Sequence, residues 1–535
     1  MSIKNELQCI IKKSLPFDVD LSRIIIDIPR DKQNGDYSCN IAFLLARELK
    51  SNPMDIANDI KDKINDSIID KVEAASPGFI NIYLSKKYLL DNINTILLKG
   101  KNYGKNYSGH GEKINIEYVS ANPTGTLHIG HGRGAVYGDT LANVMSFCGY
   151  DVTREYYIND AGNQMYNLGV SIKERYKEIC GKSFEIPENG YHGKEIIDIA
   201  KYIYDVYGDS KLECDVSFFR SEGLDILLLG IKKDLDRFRV NFDVFTSEQS
   251  LYDRGLVDTV LSKLQKSGKC YIEDDALWLK TTDVCDEKDR VLVKSDGNYT
   301  YLLPDIAYHS NKLDRGFDRL IDVLGSDHHG YINRLKSSLE IIGYDSSSLD
   351  IKILQMVRLL RGGEEVKLSK RTGKTITLNE LIDDVGVNAA RYFFASKSLD
   401  TQMDFDLDLA TSKSNENPIY YIEYANARIS SIIKNKNILQ EHEFSTMNNE
   451  LAYTIMNKLL EFEDVVIGAA RNGYPHLIAN YLYELASLFH SYYATEKIIT
   501  DDAVYTSERI AFLEAIKVVI NNAANMLGLI LREEM

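Results

Sequence analysis

Two histidines lie among several glycines in PTGTLHIGHGRGA, at residues 123–135. The preceding INIEYV (114–119) is typical of a strand, and residues 132–148 show the apolar spacing of a helix. His128 and His131 would then lie in a strand-to-helix loop and at the start of the helix. Backbone N–H groups and the helix dipole favour an anion there. The stretch therefore predicts a phosphate site.

Two other chemistries fit parts of the same stretch. GHGRGA matches a dinucleotide-binding pattern from Gly130, with Asp151 about twenty residues further on. That pattern needs its first glycine directly after the strand, whereas about ten residues intervene here. The HxxH pair and GSDHHG (325–330) could also supply zinc ligands, although no glutamate lies in the protease position between the two histidines. Both stay open as minor alternatives.

A second basic motif, KLSKRTG, occupies residues 367–373, about 240 residues after the histidines. Lys367, Lys370 and Arg371 on one loop can neutralise a departing pyrophosphate. A solvated basic turn is the commoner fate of such a run of charges. The presence of both motifs, in this order, favours the catalytic interpretation.

HIGH preceded by SANPTG, together with KLSK, resembles the signature of class I aminoacyl-tRNA synthetases. Leu368 and Arg371 depart from the family's KMSKS pattern, where they stand in place of Met and Ser. The resemblance implies catalytic roles for His128, His131, Lys367 and Lys370, and ATP contacts from these four and from Gly125, Gly130, Gly132 and Ser369. ATP would enter as the substrate with Mg²⁺, without a tightly bound prosthetic group or a metal site of the protein itself.

Several further stretches resemble arginyl-tRNA synthetases, and the likeness covers essentially the whole chain. They are VSANPTGTLHIGH, YYINDAGNQM, YLLPDIAYH, VLGSDHHGY, VGVNAARYFF and NPIYYIEYANARI. The resemblance implies an arginine–tRNA ligase that activates arginine with ATP, releases pyrophosphate and transfers arginine to the 3′-terminal adenosine of tRNA(Arg). Another class I ligase and a non-catalytic RNA-binding paralogue stay open as alternatives. The presence of both the HIGH and the KLSK motif disfavours the paralogue.

A pocket for arginine must offer carboxylates to a guanidinium, with an aromatic wall for its planar face. The resemblance assigns this recognition to Glu248, Tyr301 and Asp305. A surface ion pair is the commoner role of any single acidic residue. The resemblance also implies substrate contacts from Asn122, Asp160 and Gln164, and a contact from GSDHHG that falls on either His328 or Asp327.

The bulk composition bounds the class of protein. A chain of 535 residues predicts several domains. The net charge of −16 argues against a nonspecific nucleic-acid coat without excluding a local basic groove. No apolar run approaches a membrane span, and the N-terminus lacks the apolar region of a signal peptide. The seven cysteines form no CxxC pair, which is typical of reduced thiols. A soluble, cytoplasmic protein is expected, and the resemblance favours a monomer.

Polar breaks at 99–113 and 411–418 divide the chain. The expected fold is multidomain α/β: a small α+β domain (1–108), a Rossmann-like parallel-sheet catalytic domain (109–345) with a helical insertion at about 166–285, a connecting domain with the KLSKR loop (346–416), and an all-α bundle (417–535).

The resemblance implies that the two outer domains bind tRNA, the first at the elbow and the last at the anticodon. Tyr420, Tyr424 and Arg428 are the candidate tRNA contacts in the last domain. Tyrosines at helical spacing are more often part of a core.

Overall fold

The computed structural model describes residues 2–366, 376–434 and 443–535, with the side chains of 327–329 excepted. The chain forms two compact units. One comprises Met1–Ser108 together with Ser412–Met535, and the other comprises Gly109–Thr411.

The first hundred residues form an antiparallel sheet with helices. The sheet order is β1-β2-β4-β3. Its strands are β1 (Ile26–Asp27), β2 (Tyr37–Cys39), β3 (Ile69–Ala75) and β4 (Phe79–Leu84), and its helices are α1 (Ile3–Ser14), α2 (Ile41–Leu49), α3 (Pro53–Lys61) and α4 (Lys86–Lys99). Side chains of Ser2, Asn52 and Ser85 cap α1, α3 and α4. The predicted α+β character of this segment is confirmed.

The unit of Gly109–Thr411 is built on a five-stranded parallel sheet of order β12-β11-β5-β6-β7. The strands of this unit are β5 (Lys113–Glu117), β6 (Asp151–Ile158), β7 (Val244–Ser247), β8 (Cys270–Glu273), β9 (Ala276–Leu279), β10 (Arg290–Val293), β11 (Arg319–Gly325), β12 (Leu349–Leu354), β13 (Val357–Arg361), β14 (Glu364–Glu365) and β15 (Met403–Asp406).

Eleven helices of the described residues accompany these strands. They are α5 (Ile129–Phe147), α6 (Gly162–Ile179), α7 (Lys194–Tyr207), α8 (Val216–Arg237), α9 (Glu248–Asp253), α10 (Leu256–Lys266), α11 (Leu302–Asp314), α12 (Ile332–Ile341), α13 (Leu378–Val385), α14 (Val387–Ala395) and α15 (Leu407–Thr411). The predicted Rossmann-like class is confirmed.

The strand order places a crevice where ligands of such sheets bind. From β5 the chain passes through α5 to β6 on one side, whereas β11 lies on the other side of β5. In open parallel sheets, ligands bind outside the carboxyl ends of strands at this reversal of order. The loop that leads from β5 to α5 and the segment after β11 both begin at this edge.

The sheet extends further than the predicted domain boundaries. β12 is its edge strand, beyond residue 345, and β7 at the opposite edge lies inside the predicted insertion of 166–285. The helices α6, α7 and α8 between β6 and β7 share their own apolar core, which includes Ile172, Ile199 and Phe219. β7 and β12 therefore belong to the sheet through strand pairing, which local composition does not reveal.

The C-terminal segment is helical, as predicted, with α16 (Pro418–Ile433), α17 (Glu450–Leu460), α18 (Phe462–Asn472), α19 (His476–Thr495) and α20 (Ala503–Met526). Pro418 is the first residue of α16, and the Asn417 side chain accepts the N–H of Ile419. Tyr481, Phe489 and Tyr492 are buried in the core of this segment. Among the described helices, none combines the length and apolarity needed to cross a membrane.

Candidate active site

His128 and His131 cap the first turn of α5 through two reciprocal hydrogen bonds. The Nδ1 atom of His128 accepts the backbone N–H of Gly130 at 3.1 Å, and the Nδ1 atom of His131 accepts the backbone N–H of His128 at 3.3 Å. Their rings stack with centroids 3.6 Å apart. The helix therefore begins at Ile129, three residues before the predicted start at 132, because a histidine supplies its cap.

This capping fixes the chemistry of both rings. Burial lowers the pKa of His128, and burial together with His128 lowers the pKa of His131 to about 3. Both rings are therefore neutral at pH 7. Because each Nδ1 accepts a hydrogen bond, the ring proton of each neutral histidine belongs on Nε2. The start of α5 thus offers two neutral N–H donors beside a positive helix end.

The predicted ATP-binding glycines have different surroundings. A Cβ on Gly132 would lie 2.8 Å from Leu378 Cδ1 and 3.2 Å from Phe394 Cε2, so this glycine allows α5 to approach α13 and α14. A Cβ on Gly130 would lie 3.0 Å from His128 Cε1, whereas Gly125 has open space around it. Contact between ATP and these glycines stays a prediction.

The predicted lysine loop, with Lys367, Ser369 and Lys370, lies outside the described residues. The chain after it is tied to the histidine loop, because Leu378 N–H donates to the carbonyl of Leu127 at 2.8 Å. Thr377 and His128 also form an isolated antiparallel bridge. The backbone that follows the basic motif therefore lies beside the first histidine.

Arg133 links the same helix to the sheet of β13, β14 and β15. Its buried guanidinium donates to the carbonyls of Gln355 and Ser398 at 2.7 Å each and to that of Thr401 at 2.9 Å. No motif predicted a role for Arg133. Its only signal in the sequence is an arginine among the glycines of GHGRGA.

Three predicted carboxylates, here called the pocket cluster, come from separate elements: Asp160, Glu248 and Asp305. Asp160 follows β6, Glu248 begins α9, and Asp305 lies in the first turn of α11. Asp160 accepts hydrogen bonds from the Ser247 hydroxyl at 2.6 Å and the Gln249 N–H at 2.9 Å. The Tyr331 hydroxyl donates to Asp305.

The pocket cluster is poorly neutralised. Burial, followed by repulsion from Asp305 and Asp160, raises the pKa of Glu248 to about 7. Burial also raises the pKa of Asp305 to about 6, against the opposing hydrogen bond from Tyr331. In the described part of the chain, no lysine or arginine forms an ion pair with these three carboxylates. Such a cluster favours a cationic ligand.

Of the remaining predicted substrate-contact residues, the structure brings two together. Asn122 Nδ2 donates to Gln164 Oε1 at 3.4 Å, so these two predicted residues are neighbours. Tyr301 precedes α11, four residues before Asp305, and its side chain is 75% exposed. The side chain of His328 lies outside the described residues.

A second acidic group, here called the sheet cluster, consists of Glu117, Glu155 and Asp322. Asp322 pairs in register with Glu117, and Glu117 pairs with Glu155, so the three lie in a row on β11, β5 and β6. Lys312 Nζ lies 2.5 Å from Glu117 and 3.1 Å from Asp322, and Arg315 lies 2.6 Å from Glu155.

Glu117, Asp322 and His309 bring potential ligand atoms within 4.8 Å of one another. The ammonium of Lys312 already supplies the cation to this group, so its surroundings do not fit a metal ion. The histidines of α5 use both Nδ1 atoms as helix caps, so these two rings offer zinc no free lone pair, whereas the side chains of His328 and His329 lie outside the described residues. Because β5 ends at Glu117, well before Gly130, the dinucleotide pattern also lacks its required geometry.

The candidate tRNA contacts share one face of α16. The Tyr420 and Tyr424 rings are parallel, with centroids 6.3 Å apart. The Arg428 guanidinium lies 5.1 Å from the Tyr424 ring centroid and 5.0 Å from that of Tyr493, and it donates to the Tyr424 hydroxyl. These side chains are only partly buried, so the face is accessible.

Models of known protein families match most of the chain. Residues 92–406 match the family model described as tRNA synthetases class I (R), catalytic domain. Residues 1–84 match the Arginyl tRNA synthetase N terminal domain, and residues 422–535 match the DALR anticodon binding domain. The parallel sheet, the histidine-capped helix and the matched catalytic domain define a class I aminoacyl-tRNA synthetase.

Full-length relatives give the family. The arginine–tRNA ligase of Oceanobacillus iheyensis is 47% identical over 538 residues, covering 98% of this chain and 97% of the relative. That of Bacillus subtilis is 46% identical, covering 100% and 98%. The solved Thermus thermophilus arginyl-tRNA synthetase shares the fold, with a TM-score of 0.79 at 18% identity and full coverage of both chains. The chain belongs to the arginyl-tRNA synthetase family.

Proposed function

We propose that this enzyme joins arginine to tRNA(Arg) and that the pocket cluster recognises the arginine side chain. The observation that carries the assignment is the set of carboxylates that follow β6, begin α9 and lie on α11, without an ion-paired lysine or arginine among the described residues. A guanidinium supplies one positive charge and five N–H donors in a planar fork, which suits paired carboxylates.

ATP would bind at the start of α5, with Mg²⁺ accompanying the nucleotide as part of the substrate. The Nε2–H groups of His128 and His131 would donate to phosphate oxygens, and the N-terminal end of the helix would favour the anion. Lys367 and Lys370 would neutralise the β- and γ-phosphates, assisted by Ser369. Gly125, Gly130 and Gly132 would allow the nucleotide to approach the backbone.

The reaction would proceed in two steps. A carboxylate oxygen of arginine attacks the α-phosphorus of ATP, the bond from that phosphorus to the bridging oxygen breaks, and pyrophosphate leaves. The 3′-terminal adenosine of tRNA then takes the arginyl group through a ribose hydroxyl, and AMP leaves. Catalysis rests on positioning and charge neutralisation. Asn122 and Gln164 would hold the amino and carboxylate groups of arginine, and Tyr301 and His328 would complete the pocket.

The outer segments would bind the tRNA. Residues 1–108 would contact the elbow, and the helical segment that contains the DALR match would contact the anticodon through Tyr420, Tyr424 and Arg428. Parallel tyrosine rings and a guanidinium are suited to stacking on unpaired bases. A cytoplasmic monomer is the form we propose, with the four-part domain division given above.

Exchange of pyrophosphate into ATP with each of the twenty amino acids, with and without total tRNA, tests the proposal. Exchange with arginine alone is expected. Exchange with another amino acid would retain the ATP site but contradict the pocket assignment. No exchange under either condition would favour a non-catalytic RNA-binding role.

A further inference from the structure

One side chain that faces the pocket cluster has no role so far. Tyr157 lies on β6, two residues after Glu155, so both side chains point to the same face of the sheet. Glu155 on that face accepts hydrogen bonds from Tyr308 and Arg315 of α11. The Tyr157 ring packs on the Tyr308 ring, with centroids 4.4 Å apart. Tyr157 itself lies two residues nearer the carboxyl end of β6 than Glu155.

The Tyr157 hydroxyl is buried without a hydrogen-bond partner among the described residues. The whole residue is only 9% exposed. Neighbouring tyrosines use their hydroxyls: Tyr156 donates to the carbonyl of Ala121, and Tyr331 donates to Asp305. Buried polar groups are nearly always paired, so an exception calls for an explanation.

The surroundings of this hydroxyl are acidic. Burial, Glu248 and Asp305, in that order, raise the pKa of Tyr157, so the hydroxyl keeps its proton. The hydroxyl faces Glu248 and lowers the pKa of that carboxyl as a hydrogen-bond donor would, although the two groups do not meet hydrogen-bond geometry. Glu248 begins α9 directly after Ser247, which pairs in register with Ile158, the residue that follows Tyr157. The hydroxyl thus lies beside two carboxylates of the pocket cluster.

We propose that Tyr157 is a specificity-determining residue, whose hydroxyl oxygen accepts one guanidinium N–H of the bound amino acid between Glu248 and Asp305. This proposal rests on the proposed function. Two carboxylates that each bind the guanidinium through two oxygens use four of its five N–H groups. The tyrosine oxygen would accept the fifth. An ammonium side chain has only three donors at a single point and cannot satisfy all three groups in this geometry.

Tyr157→Phe tests the contact because it removes only the hydroxyl. We expect calorimetry on the full chain to show about tenfold weaker arginine binding, the scale of a hydrogen bond to a charged group. In aminoacylation, the KM for arginine should rise similarly, while kcat and the KM for ATP stay within about twofold. Tyr37→Phe is the matched control, since Tyr37 also has a buried hydroxyl without a described partner but lies on β2. It should leave arginine binding unchanged.

The outcomes separate this contact from the proposed function. If the unmodified protein binds no arginine, the pocket assignment fails, and the Tyr157 contact fails with it. If it binds arginine and Tyr157→Phe binds equally well, only the contact is overturned.

Two further measurements exclude structural explanations. The unfolding midpoint of Tyr157→Phe should equal or exceed that of the unmodified protein, because an unpaired buried hydroxyl is destabilising. A clearly lower midpoint would overturn the premise that the hydroxyl is unpaired. The tenfold loss should also persist at pH 8.5, where Glu248 is ionised. A loss that disappears there would show that Tyr157 acts only through the charge of Glu248.

Discussion

The sheet cluster and the pocket cluster contain the same kinds of residue in the same unit, yet their charges are handled oppositely. In the sheet cluster, burial opposes ionisation of Asp322, but Lys312 and His309 lower its pKa. In the pocket cluster, burial and neighbouring carboxylates raise the pKa of Glu248 to about 7. The difference lies in the counter-charge, since burial disfavours the ionised carboxylate in both.

This contrast separates carboxylates that hold the fold from carboxylates that we propose bind a ligand. Both clusters meet on α11, which places Asp305 in its first turn and Lys312 and Arg315 at its end. The sheet cluster therefore anchors the helix that carries one of the pocket carboxylates. Removing a charge should accordingly cost activity in one cluster and stability in the other.

The largest expected effect follows Glu248→Gln. Removing one partner of a buried charge pair costs several kcal/mol, so kcat/KM for arginine should fall about a thousandfold, or ~4 kcal/mol. The measurement is steady-state aminoacylation. Glu340→Gln, on the exposed face of α12, is the control and should change kcat/KM less than twofold. Equal losses in both variants would contradict the pocket assignment.

Lys312→Met should lower the stability of the fold, whereas Glu248→Gln lowers activity. It leaves Glu117 and Asp322 buried without their cation, which should lower the free energy of unfolding by about 3 kcal/mol. Urea unfolding followed by circular dichroism measures the change. Combining it with Glu117→Gln should recover part of the loss. If Lys312→Met leaves stability unchanged, the sheet cluster is not the anchor that we describe.

Arginine should stabilise the enzyme more at pH 8 than at pH 6. The raised pKa of Glu248 means that the stability contributed by its proton is present below about 4.5 and lost as pH rises through about 7. Bound arginine offsets that loss. At a hundredfold excess over Kd, the stabilisation should approach ~2.7 kcal/mol. Thermal unfolding at both pH values tests this, and Glu248→Gln should show a smaller pH difference, because only Asp305 still titrates in this range.

The smallest expected effect is the pH dependence of arginine affinity. Because Glu248 titrates near 7 and Asp305 near 6, the KM for arginine should fall about tenfold between pH 6 and pH 8. The KM for ATP is the internal control. Of the two histidines of α5, His131 has a pKa of about 3 and stays neutral over this range, and burial lowers the pKa of His128. A parallel change in both KM values would contradict separate sites.

Much of the architecture was predictable because its signals are local. Apolar periodicity predicted the strand that ends at Glu117, the helix that follows and the helical C-terminal segment. The exact start of α5 was not predictable from periodicity, since it depends on the side chain of His128 turning back to its own helix. The edge strand β7 falls in the predicted insertion and β12 in the predicted connecting domain, because pairing partners distant in sequence define a sheet.

Residue types, their order and a family resemblance were enough to identify the two catalytic motifs, the fold class and the candidates Glu248 and Asp305. They could not distinguish these carboxylates from Glu117 and Asp322, because all four are acidic residues within or beside apolar segments. The counter-charge decides between them, and Lys312 lies 195 residues from Glu117 in the chain. Only folding brings that ammonium to one cluster while leaving the other without an ion-paired lysine or arginine among the described residues. Charge balance in a protein interior depends on three-dimensional proximity, which sequence separation does not encode.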